Sequence, residues 1–146
     1  MTATQASTDR PQQVIVGVDG SPNSLAALRR AIVLAAERGT GLEMIYVIPP
    51  EIDLSAVGRG YEMLDAATKC AAATGLYVPD ARQLVACGDP AQVLVQRSTG
   101  AQVLVIGARF NSAEGNPLGG DVVPYCLSHA ACPVDVCADQ RISAAA

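Results

Sequence analysis

Five short apolar runs, rich in Val and Ile, recur through the chain with helix-length segments between them, and this alternation restricts the fold more than any other feature. The runs are "QVIVGVD" (13–19), "GLEMIYVIPP" (41–50), "ARQLVAC" (81–87), "AQVLVIGA" (101–108) and "CPVDVCA" (132–138). Continuous β-branched runs of this length suit strands buried on both faces, and strands separated by helices imply right-handed crossovers and a mainly parallel sheet. The apolar half of the composition contains almost no aromatics. That balance fits Ala-rich helices packed closely on such a sheet. A chain of 146 residues makes one domain by this reading, with a single core region.

The intervening segments carry helix signals. "GSPNSLAALRRAIVLAAERG" spaces Leu25, Leu28, Ile32 and Ala36 at three- and four-residue intervals, and Gly39 is placed to end the helix in the left-handed region. "YEMLDAATKCAAATG" predicts a helix from Tyr61 to Thr74 that closes on Gly75. The preceding "EIDLSAVGRG" holds enough breakers to read as a surface connection. Asp89 and Pro90 give a cap and a first-turn proline for a third long helix. A last helix is expected over 121–131. The polar, Pro-containing residues 1–11 and the Ala-rich 139–146 read as flexible tails around a domain at 12–138.

Charge and cysteine usage narrow the function classes. The formal net charge of −4 contains no basic block, so neither nucleic acid nor a membrane surface is an expected partner. No run approaches the roughly 18 apolar residues of a spanning helix, and no signal-type apolar segment opens the chain, which reads as cytoplasmic. The five cysteines, Cys70, Cys87, Cys126, Cys132 and Cys137, lack any C-x-x-C pair and read as reduced, mostly buried thiols. Cys126, His129 and Cys132 match no trusted zinc spacing, so no metal site is assigned. Catalytic motifs are also missing: there is no Walker lysine and no G-x-S-x-G elbow.

The order and spacing of "VIVGVDGSPNSLAAL", "MIYVI", "GDPAQVLV" and "VLVIGAR...LGGDVV...SHAACPVDV" resemble a single-domain universal stress protein over roughly residues 12–138. The resemblance implies an α/β, Rossmann-like fold: an open five-stranded parallel sheet of order 3-2-1-4-5 with helices on both faces. It also implies a homodimer joined through the last strand. In one branch of the family it implies an ATP or AMP site at the carboxyl ends of the first and fourth strands, where open α/β sheets in general bind ligands.

On the same resemblance Asp19 matches an acidic residue beside the nucleotide, and Val47 a backbone position that recognises adenine. Ile106 precedes the first loop glycine, Gly107. Each also has a plain reading, as a strand-end cap or a core aliphatic. The phosphate loop of the nucleotide-binding branch, G-x2-G-x9-G-(S/T), falls here on Gly107, Phe110, Gly120 and Asp121. Gly107 and Gly120 keep the freedom of a residue without Cβ. Phe110 takes that freedom away, and Asp121 replaces a hydroxyl donor with an acceptor. Asp121 is also a strong N-cap, and its charge at a helix N-terminus takes the place a phosphate would occupy. Arg109 is a candidate phosphate donor or a solvated loop arginine.

Two readings follow. One is a non-catalytic, dimeric regulatory protein with weak or absent ATP binding and no cofactor. The other is an ATP or AMP sensor in which Mg²⁺ joins Asp121 to phosphate.

Overall fold

The structure is a computed structural model that describes residues 12–48, 54–77, 81–108 and 122–139. In chain order its elements are β1 (Val14–Gly17), α1 (Pro22–Arg38), β2 (Leu42–Ile48), α2 (Leu54–Ala73), β3 (Ala81–Cys87), α3 (Pro90–Ser98), β4 (Val103–Gly107), α4 (Val122–His129) and β5 (Val134–Cys137). Every strand pair is parallel and the order is β3-β2-β1-β4-β5, the order that the family resemblance implies. The two inner pairings of β1 align Val14 with both Leu42 and Val103.

The pleat sorts the strand residues into two cores. Val14, Val16, Met44 and Val105 face α1 and α2, whereas Ile15, Ile45, Leu104 and Ile106 face α3 and α4. β1 is buried at all four positions, which explains why it reads as a continuous apolar run rather than an alternating one. Burying side chains such as Leu28, Ile32 and Leu94 stabilises the fold by roughly 1.5–3 kcal/mol each, since all three are essentially inaccessible.

The helix ends follow the local chemistry of the sequence. Ser21 caps α1 by accepting the Ser24 N–H at 3.2 Å, and Gly39 closes the helix at φ 65°. Asp89 caps α3 by accepting the Gln92 N–H at 3.3 Å, with Pro90 in the first turn. Within α1 the buried stripe runs through Ala27, Leu28, Ala31, Ile32 and Ala35, while Ala36 is exposed. Ala36 therefore leaves the predicted stripe, which a helix of 3.6 residues per turn centres on Ala35.

The largest correction concerns α2, which begins at Leu54 rather than Tyr61. Gly58 and Gly60 read as breakers, yet both lie inside the helix. A Cβ on Gly60 would sit 3.0 Å from side-chain carbons of both Tyr46 and Val85, so Gly60 allows α2 to lie directly on β2 and β3. This contact offsets the roughly 1 kcal/mol that a helical glycine costs relative to alanine.

The cysteines are also less buried than expected. Only Cys126 is fully enclosed. Cys132 and Cys137 are half-buried, and Cys70 and Cys87 are exposed, on an outer face of α2 and at the end of β3, a strand with one sheet partner among the described residues.

A buried ion pair joins the sheet to α3. Glu43 on β2 is 4% exposed and accepts from both Nε and Nη2 of Arg97, the former at 3.2 Å. On β5, Asp135 accepts from Arg30 Nε of α1 at 3.2 Å, so this carboxylate is engaged within its own chain.

Candidate functional site

Strand order reverses between β1 and β4. After β1 the chain enters α1 on one face of the sheet, and α4, which follows β4, packs on the other. The carboxyl ends of these two strands therefore bound a crevice from which the crossovers diverge, the usual ligand position in an open α/β sheet.

The β1 wall of the crevice is a polar turn. Asp19, partly exposed, accepts from the Ser21 N–H at 3.0 Å and from the Ser21 hydroxyl at 2.6 Å. Its own N–H donates to the Ser24 hydroxyl at 3.2 Å, and that hydroxyl donates in turn to the Ser21 carbonyl at 3.0 Å. Gly20 takes φ 85° at the bend, a conformation open to glycine without penalty. The strand-end cap and the site residue anticipated for Asp19 are thus compatible roles of one carboxylate.

The β4 wall is built by close packing. An ideal Cβ on Gly107 would lie 2.6 Å from the Asn23 carbonyl carbon and 2.7 Å from both the Asn23 oxygen and the Ser24 nitrogen. All three are backbone atoms, so the first turn of α1 occupies the space a side chain would need. Contact between helix and strand is therefore one reason for glycine at 107, beside the phosphate approach that the family resemblance implies. Ile106 is fully buried in the α3/α4 core, which leaves only its backbone for any ligand.

Val47 likewise has only its backbone to offer at this end of β2. Its side chain is 4% exposed. The Ile45 carbonyl accepts from Val18 N–H and the Ile48 carbonyl from Gly88 N–H. Strand alternation then turns the Val47 N–H and C=O toward the β1 side, one step past the Val18 bond. The structure therefore brings Asp19, Ile106 and Gly107 together at the reversal point, with Val47 facing it from β2. Arg109, Phe110, Gly120 and Asp121 lie outside the described residues.

One residue at this crevice escapes sequence reading. The Asn23 side chain donates through Nδ2 to the Ala108 carbonyl at 2.8 Å and accepts through Oδ1 from the Asp139 N–H at 2.7 Å. Asp139, assigned to the tail by sequence, is buried. The Ala108 N–H donates to the Cys137 carbonyl at 2.6 Å, so the exits of β4 and β5 are joined to each other and to α1.

Three of the five thiols are set by burial. Burial pushes the Cys126 thiol up to about 11, helped by the negative Asp89 and by Cys132, and burial likewise raises Cys132 and Cys137. Raised thiols are poor nucleophiles at neutral pH. His129 stacks on the Tyr125 ring with centroids 4.1 Å apart and has Nδ1 3.0 Å from the Tyr125 carbonyl. Among the described residues no three His, Cys, Asp or Glu side chains gather where they could hold a metal ion. No described helix is long and apolar enough to cross a membrane.

Comparison with known proteins places these observations. The sequence pattern of the Universal stress protein family matches residues 11–137. A universal stress protein of Mycobacterium tuberculosis is 36% identical over 132 residues, covering 84% of this chain and 44% of its own length. A second from the same organism is 34% identical over 138 residues, covering 89% and 50%. The chain thus spans about half the length of these curated relatives.

Among solved structures, a universal stress protein in complex with cAMP is 26% identical with a TM-score of 0.71, over 89% of this chain and 98% of that one. A universal stress protein from Archaeoglobus fulgidus in complex with dAMP is 20% identical, with a TM-score of 0.70 over 88% and 98%. A family protein from Arabidopsis thaliana with AMP bound is 21% identical, with a TM-score of 0.60 over 88% and 91%. The last two are likenesses of fold.

Proposed function

The chain belongs to the universal stress protein family, and from that premise we propose that it is a non-catalytic regulatory protein, dimeric and cytoplasmic, whose crevice takes an adenine nucleotide weakly. The observation that carries this reading is the convergence of the Asp19 carboxylate and the inward-facing Val47 backbone at the β1/β4 reversal. The same fold holds cAMP, dAMP and AMP in the solved structures it resembles.

The described residues fit such a ligand in kind. A strand-end carboxylate suits ribose hydroxyls, and a paired backbone N–H and C=O suits the donor and acceptor edge of adenine. The weakness of binding follows from the sequence of the loop. Phe110 stands where the nucleotide-binding branch has glycine, and Asp121 presents a negative acceptor where phosphate needs a donor. A carboxylate about 4 Å from a phosphate charge opposes binding by roughly 1 kcal/mol in water-like surroundings and about 4 kcal/mol at the effective dielectric of a protein surface.

Titration calorimetry with AMP and ATP, each with and without Mg²⁺, tests the reading. We expect measurable AMP binding with a dissociation constant well above the micromolar range. ATP should bind more weakly than AMP unless Mg²⁺ is present. Tight ATP binding without a cation overturns the electrostatic argument, and ATP turnover that disappears in Asp19→Ala overturns the non-catalytic role.

A further inference from the structure

We infer that Asn23 is a positioning residue for the nucleotide crevice, a two-handed latch that sets the exit of β4 and registers it against the exit of β5. The inference rests on the nucleotide-binding reading above. Its basis is geometric: one amide donates to the Ala108 carbonyl at 2.8 Å and accepts the Asp139 N–H at 2.7 Å. The two partners follow strands that are neighbours in the sheet, Ala108 directly after β4 and Asp139 two residues after β5, and the Ala108 N–H closes the set on the Cys137 carbonyl.

Asparagine suits this position because it presents a donor and an acceptor on one planar group. Aspartate keeps only the acceptor, and alanine keeps neither. The backbone of Asn23 is itself fixed, since it packs on Gly107 with no space between them for a methyl group. The latch therefore has little freedom to follow a displaced β4 exit. Ala108 is the residue from which the chain leaves the sheet beside the crevice. Holding its carbonyl fixes the direction in which β4 ends, and a wall held in place before a ligand arrives spares that ligand the cost of ordering it.

α1 grips β5 a second time, through Arg30 and Asp135. The crevice and the β5 side of the sheet are thereby tied to one rigid helix. Asn23 is the tie at the ligand end.

The test compares wild type, Asn23→Ala and Asn23→Asp in the full chain by titration with AMP and with adenosine, by amide hydrogen exchange at Asp139, and by thermal melting. Adenosine carries no phosphate, so it separates the lost donor from the added charge of aspartate. We expect Asn23→Ala to weaken adenosine binding about fivefold, the equivalent of one net hydrogen bond, and to lose protection at Asp139. Asn23→Asp should keep the Asp139 protection and still lose adenosine affinity.

Unchanged adenosine and AMP affinity in both variants, with only the melting temperature lowered, overturns the latch and leaves the nucleotide reading standing. A wild-type protein that binds neither ligand overturns the nucleotide reading and the positioning role with it. Rapid exchange at Asp139 in wild type overturns the latch independently of any ligand.

Discussion

Gly107→Ala is the sharpest probe of how the crevice is built, because the obstruction is entirely backbone. The new Cβ would lie 2.6 Å from the Asn23 carbonyl carbon, where ordinary contact begins at 3.4 Å, so α1 and β4 must separate by about 0.8 Å. Movement of α1 directly away would stretch the Asn23 bonds to Ala108 and Asp139, now 2.8 and 2.7 Å, to about 3.6 and 3.5 Å, outside hydrogen-bond range. Overpacking alone costs about 1–3 kcal/mol and each lost bond about 1 kcal/mol. We therefore expect a loss of roughly 3–5 kcal/mol, a large part of the 5–15 kcal/mol typical of a domain.

Urea unfolding followed by circular dichroism measures this directly, with a lower midpoint and an unchanged slope. Gly58→Ala is the matched control. Gly58 is an exposed residue of α2 with nothing within 4 Å of its ideal Cβ, so alanine there should stabilise by up to about 1 kcal/mol. Gly107→Ala within 0.5 kcal/mol of wild type, a margin typical of neutral surface changes, would refute the packing argument.

Other perturbations address separate parts of the molecule. Arg97→Leu strands the buried Glu43 carboxylate and should cost about 3 kcal/mol by urea unfolding. Arg97 is about a third exposed, which places the loss at the low end for a broken buried pair, and adding Glu43→Met should recover most of it. The Cys126 thiol rises from 9.0 to about 11 on burial, so the folded state holds this proton more tightly than the unfolded chain. Its contribution is complete below pH 9 and is lost as pH climbs toward 11, by about 3 kcal/mol for two units. A wild-type urea midpoint that falls no faster than that of Cys126→Ala over this range would contradict the assignment. Asp121→Ser removes the carboxylate proposed to oppose phosphate, so calorimetry in the absence of Mg²⁺ should show ATP binding at least fivefold tighter. Unchanged ATP affinity would rule out that opposition.

Much of this architecture is legible in the sequence because its signals are local. Asp89-Pro90 announces a helix start through a hydrogen bond that spans three residues, and β1, β2 and β4 declare themselves by apolar runs that need no knowledge of their neighbours. Gly39 and Gly75 end helices with φ of 65° and 90°, the feature for which glycine is chosen at such sites. Where sequence reading fails, the controlling contact is distant. Gly60 resembles a breaker until Tyr46 and Val85 are seen beneath it, and the packing of Gly107 against Asn23 leaves no trace in the loop motif that assigns it to phosphate. Both are small for the same reason, the close approach of a helix to the sheet, and periodicity carries no record of that approach.

Asn23 shows the limit most clearly. Its partners lie 85 and 116 residues away, and within α1 it stands at an unremarkable position in the first turn. Composition cannot distinguish an asparagine that faces water from one that joins two strands. The distinction matters for function because two of the residues that the family resemblance singles out, Asp19 and Gly107, are both set in place by this first turn: Asp19 through Ser21 and Ser24, Gly107 through the Asn23 backbone. The crevice is therefore a property of where α1 begins. The same helix also meets β5, through Arg30 and Asp135, so the start of α1 and its body serve different ends of the sheet.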